Sequence, residues 1–82
     1  MKLDNLEKRI VKSAVENPGI YKTELYRPFL TERSGFFLNK SVKCLEACGF
    51  VRIEKQPGIV QVWATKKAVR HIKKLEREGE AQ

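Results

Sequence analysis

Four side chains at helical spacing carry the chemistry this sequence offers: Phe36, Asn39, Lys40 and Lys43. At 100° per residue they share one side of a helix with Ala47, while Leu38, Val42 and Leu45 fall in a narrow arc opposite. An asparagine amide pairs with an adenine edge through one donor and one acceptor, and a lysine suits guanine or a phosphate. A phenylalanine can meet a thymine methyl or a sugar. From Arg33 to Leu45 there is no acidic residue, and Arg33, Lys40 and Lys43 are cationic. Taken alone, such a face is equally that of an ordinary solvated helix, since lysines are mostly exposed.

The charge elsewhere tips that balance. The 82 residues have a formal net charge of +7, distributed unevenly. Residues 1–32 hold six basic and five acidic side chains, whereas residues 33–82 hold eleven and five. Such an excess points to a polyanionic partner, either nucleic acid or an anionic membrane surface. No apolar run approaches the roughly 20 residues of a membrane span. The opening Met1-Lys2-Leu3-Asp4-Asn5-Leu6-Glu7 is charged and lacks a signal-peptide core, so a cytoplasmic location is expected.

Catalysis is not expected. His71 is the sole histidine and Asp4 the sole aspartate, so no nucleophile–base pair and no metal set can be assembled. No cofactor, metal or small-molecule ligand is expected. His71, among lysines, reads as solvated. Cys44 and Cys48 lie four apart on one helix, which is neither a zinc spacing nor one a disulfide bridges without strain. Cys48 reads as a small core residue, and Cys44 as an edge position open to an intermolecular bridge.

The elements that must position these groups follow from periodicity, and one domain over residues 1–82 is expected. Leu6, Ile10 and Ala14, widened by Leu3, Val11 and Val15, predict a helix over 3–17, with Asp4 and Glu7 in capping-box register. Asn17-Pro18-Gly19 stops it. A second helix is predicted over 20–27, ending early because Pro28 removes a backbone bond. The principal helix covers 34–48, with Ser34 as N-cap and Gly49 as its left-handed terminator. The period then switches to alternation, predicting a hairpin over 50–65 around Gln56-Pro57-Gly58. Trp63 lies on its outer side, packed on a subunit or the last helix, or exposed. Thr65 caps a final helix over 66–78, ended by Gly79, with Glu80-Ala81-Gln82 frayed.

The order helix, helix, helix, hairpin, helix resembles the winged helix-turn-helix domain, mainly α with a small β-hairpin. Three passages carry the resemblance. Asn17-Pro18-Gly19-Ile20 followed by Thr23-Glu24-Leu25 is similar to the opening of the second helix in many such regulators. Val42-Lys43-Cys44-Leu45-Glu46-Ala47-Cys48-Gly49-Phe50-Val51 is similar to the passage from recognition helix into wing. Val62-Trp63-Ala64-Thr65 stands where such domains close the wing and cap the next helix. The sequence departs from the pattern at Pro28, in the extra residues before Ser34, and at Phe36, where a small polar residue is common.

The resemblance, which extends to the MarR-like and ArsR-like regulators, implies sequence-specific binding of double-stranded DNA by a small transcription regulator. Helix 34–48 would enter the major groove with Phe36, Asn39 and Lys40 at base edges. Arg33, Lys43, Arg52, Lys55 and Gln56 would meet the DNA backbone, the wing tip 55–58 lying on the backbone or minor groove. A homodimer through helices 3–17 and 66–78 is implied. Two alternatives stand: a protein–protein adaptor in a larger assembly, anchored by Phe36, Ile59 and Trp63, or RNA binding.

Overall fold

The structure, a computed structural model, describes residues 3–80, with side chains to Arg77. The chain runs α1 (Asn5–Glu16), β1 (Ile20–Tyr21), α2 (Lys22–Tyr26), a 3₁₀ turn (Arg27–Phe29), α3 (Gly35–Ala47), β2 (Val51–Gln56), β3 (Ile59–Ala64) and α4 (Lys66–Glu80). The strands form one antiparallel sheet in the order β1-β3-β2.

α1 starts as its sequence demands. The Glu7 amide donates to Asp4 Oδ1 at 2.7 Å and the Asp4 amide to Glu7 Oε1 at 3.2 Å, closing the capping box. The turn after it brings a correction to the helix expected over 20–27. Ile20 and Tyr21 are extended and pair with Val62 and Gln61 of β3. The Pro18-Gly19 turn delivers these two residues to an open sheet edge, where strand pairing satisfies backbone groups that an incipient helix would leave free. α2 is therefore five residues long and ends at Tyr26. Pro28 sits in the first turn of the 3₁₀ segment, where its missing N–H costs nothing.

The connection to α3 is pinned rather than loose. Arg9 of α1 places Nη1 2.8 Å from Glu32 Oε1, with its guanidinium over the Phe29 ring. That hydrogen bond holds the Glu32 carboxyl below the usual range. Both groups are about half exposed, so the pair fixes geometry more than it adds stability. Ser34 takes the N-cap position, but its hydroxyl makes no capping bond.

α3 ends in a Schellman arrangement, with the Phe50 amide donating to Leu45 O and the Gly49 amide to Glu46 O, Gly49 lying at φ +81°. Lys67 of α4 donates to the carbonyl of Cys48 at 2.7 Å. The Thr65 hydroxyl donates to Gly49 O at 2.6 Å while accepting from the Ala68 amide at 3.2 Å. One threonine thus caps α4 and ties it to the end of α3. α4 continues through Glu80, past the expected stop at Gly79. Glycine inside a helix costs only about 1 kcal/mol, and nothing at that position demands a turn. Of the expected frayed end, Ala81 and Gln82 lie outside the described residues.

The core collects one face of every helix: Ile10, Val11 and Ala14 of α1, Leu25, then Leu38, Val42 and Leu45 of α3, and Ala68 and Ile72 of α4, closed by Val62 of β3. Cys48 is half-buried against it, and Leu75 packs at its edge. His71 also departs from expectation. It is half-buried with its ring edge against Phe50, and its Nε2 is buried without a hydrogen-bond partner among the described residues.

Candidate nucleic-acid interface

The outer face of α3 and the inner face of the hairpin enclose a groove of about 300 Å³. Lys22, Tyr26, Asn39, Lys43, Lys55 and Glu46 line it, over a floor that includes Val42 and Val60. Three cations thus converge from α2, α3 and β2, against one carboxylate. None of the three lysines has an ion-pair partner among the described residues.

The alternation of β2 decides which of the expected contact residues share this groove. Lys55 stands opposite Val60, on the same sheet face as the pair Ile53 and Val62 that meets the helices. Arg52 stands opposite Trp63 on the other face, with its guanidinium over the indole and 3.9 Å from Glu54. Gln56 is on that face too, donating to Glu54 Oε1 at 3.4 Å. The structure therefore brings Asn39, Lys43 and Lys55 together and leaves Arg52 and Gln56 apart from them. Arg33 is exposed just before α3.

On α3 itself, Phe36 is 64% and Phe37 54% exposed, their rings edge to face at 5.6 Å. The Lys40 ammonium rests 5.0 Å from the Phe36 ring centre. Asn39 is half-buried, and its Oδ1 accepts a hydrogen bond from the Tyr26 hydroxyl at 2.7 Å. Tyr26 is only 6% exposed, and burial pushes its phenol up to about 12.

Two groove residues escaped sequence reading, Lys22 and Tyr26. Their spacing of four on a short helix, with the ammonium 5.7 Å from the ring centre, was the available signal. Trp63 covers Gly19, in the turn leading to β1.

Among the described residues, no group of three or more His, Cys, Asp and Glu could hold a metal ion. No helix among them is long and apolar enough to cross a membrane.

Comparison with known proteins bears on the fold. No family model matches the sequence, and no curated protein matches it. Among solved structures, the chain is similar to Streptococcus pneumoniae FabT in complex with DNA, with a TM-score of 0.82 over 98% of this chain and 57% of that one, at 14% identity. The fold is a winged helix-turn-helix. It is similar too to the transcriptional regulator SlyA, with a TM-score of 0.72 over 94% of this chain and 54% of that one, at 22% identity. The chain spans little more than half the length of either. The sequence resemblance to winged helices is borne out at the level of the fold, and the hairpin β2–β3 is its wing.

Proposed function

We propose that this winged helix binds double-stranded DNA as part of a transcription regulator, with α3 in the major groove and the wing tip against the backbone or minor groove. The observation that carries the reading is the convergence of Lys22, Lys43 and Lys55, without an ion-pair partner among the described residues, on the groove between α3 and the wing. Lys40 and Arg33 extend the same cationic surface toward the start of α3. The DNA-bound state of FabT supports it as well. Phosphates supply most of the affinity in such an interface and base edges supply choice. Phe36, Asn39 and Lys40 stand at the base-facing end of α3. Lys22 joins Lys43, Lys55 and Arg33 as phosphate contacts, whereas Arg52 and Gln56 are engaged on the opposite sheet face.

Gel retardation with duplex DNA across salt concentrations tests this. About four phosphate contacts per chain give a log–log salt slope near −3.6. Absence of retardation at low salt removes the reading. Competition with duplex RNA separates the RNA alternative. Two copies paired through the outer faces of α1 and α4 would offer their α3 helices to half-sites about 34 Å apart, and light scattering tests that pairing.

The exposed Phe36–Phe37 pair favours a second reading, a protein-interaction module. Apolar rings at a surface are the usual anchors of such contacts. Retention of a partner protein by wild type and its loss in Phe36→Ala, without any duplex binding, would establish it.

A further inference from the structure

We propose that the solvent face of α4 is a second phosphate-binding surface, which holds a stretch of nucleic-acid backbone apart from the one met by α3 and the wing. That it is the second such surface rests on the DNA-binding reading above. From Lys66 to Leu75 the chain has no acidic residue. At 100° per residue Ala68, Ile72 and Leu75 share the side of α4 that meets the core, and Lys66, Arg70, Lys73, Lys74 and Arg77 spread over the opposite side. All five are exposed, and none has an ion-pair partner among the described residues. They extend over about 16 Å of helix axis. Lys67 stands aside from the row, its ammonium on the Cys48 carbonyl and over the Phe50 ring.

This placement works against the helix that carries it. Lys66 and Lys67 open α4 with no acid in its first turn, at the positive end of the helix dipole, where carboxylates are favoured. Lys66 and Arg70, Arg70 and Lys74, and Lys73 and Arg77 each stand four apart, so like charges repel along the surface. Local rules broken without a local gain mark functional positions, and a polyanion lying along α4 relieves both conflicts. One small phosphate would cover a fraction of the row, whereas a strand of phosphates runs its length. A membrane fits less well, because a surface-bound helix sinks an apolar face among lipid chains and that of α4 is used in the core. α1 packs against both α3 and α4, so it stands between them and their solvent faces look to different sides. The α1 side of α4, with Leu75 and Glu76, holds none of these cations and stays open to the pairing of two copies.

Four proteins test this: wild type, a groove variant (Lys22→Ala, Lys43→Ala, Lys55→Ala), an α4 variant (Lys66→Gln, Arg70→Gln, Lys73→Gln, Lys74→Gln) and the two combined. Glutamine matches lysine and arginine in helix propensity, so α4 should form in every case, as circular dichroism would register. In gel retardation at low salt the groove variant should still bind duplex DNA. The combined variant should bind at least about tenfold more weakly, with a salt slope shallower by about 0.9 for each phosphate lost. Wild type should carry a labelled duplex onto a bead-bound one. The α4 variant should still retard single duplexes but lose that carry-over, with unchanged light scattering. Equal binding by the groove and combined variants overturns the inference, as does carry-over by the α4 variant at the wild-type level. An altered copy number in the α4 variant overturns it too, by assigning the face to self-association. So does weaker binding of the α4 variant to phosphatidylserine vesicles with the groove and combined variants alike on duplex. Each of these outcomes spares the α3 reading. An α4 variant that retards no duplex while the groove variant does removes the α3 reading and keeps α4 as a nucleic-acid surface. Failure of wild type to retard any duplex removes both.

Discussion

The Trp63 indole lies so close over Gly19 that a Cβ there would meet its six-membered ring at 2.9 Å. Gly19 also has φ +74°, a conformation L side chains avoid. Its carbonyl accepts from Gln61 Nε2 at 3.1 Å, so the turn is held at the sheet from two sides. Gly58 at the wing tip has nearly the same backbone, φ +75°, with open space where a Cβ would stand. The two glycines separate steric contact from backbone strain.

Gly19→Ala is expected to cost about 2–3 kcal/mol and Gly58→Ala about 1 kcal/mol. In a domain of this size the first should lower Tm by roughly 10 °C or more. Equal shifts in the two variants would mean that Trp63 yields freely, and that its packing does not define the turn.

Thr65→Val removes the cap of α4 and the tie to Gly49 at nearly constant volume. A loss of about 1–2 kcal/mol is expected, read as a lower urea midpoint with an unchanged slope. Thr65→Ser should recover most of it. A serine variant as unstable as valine would show that the hydroxyl bonds are not what matters.

Tyr26 makes stability depend on alkaline pH. Its folded pKa, about 12, lies above the ordinary phenol value of 10.0. A raised pKa means that the folded state holds the proton more tightly, so the stabilisation is complete below 10 and is lost as pH rises toward 12. Tm measured at pH 9 and pH 11 should therefore fall more in wild type than in Tyr26→Phe. Parallel losses in the two proteins would show that the phenol is not buried in this way.

Lys55 and Arg52 are three residues apart in sequence, an odd separation that puts them on opposite sheet faces. Lys55→Ala should make the salt slope of duplex binding shallower by about one. Arg52→Ala should leave the slope unchanged. The reverse result would place the DNA on the Trp63 side of the wing.

Phe36 and Phe37 are exposed enough that truncation should change stability by no more than about 0.5 kcal/mol each. Phe36→Ala should nonetheless weaken specific duplex binding several-fold. A large drop in its Tm instead would assign the ring to the fold.

Local signals proved sufficient wherever neighbouring residues alone determine the outcome. The Asp4–Glu7 box, the Gly49 terminator, the Thr65 cap and the Pro57-Gly58 turn each act within a few residues, and each formed where its side chains indicated. The apolar stripe of α3 likewise follows from periodicity, so helix order and wing were legible before any coordinates. Three-dimensional packing decided what depends on partners distant along the chain. Ile20 and Tyr21 became a strand because β3, about forty residues later, offers a free edge. Arg52 and Lys55 were separated by the pleat once Ile53 and Val62 turned to the core. Asn39 Oδ1 accepts from the hydroxyl of Tyr26, 13 residues earlier, across a contact that no pattern within either helix encodes. Composition and spacing specify elements because helix caps and periodicities are short-range, whereas the orientation of a single amide is settled only when folding brings a second buried polar group within hydrogen-bond distance.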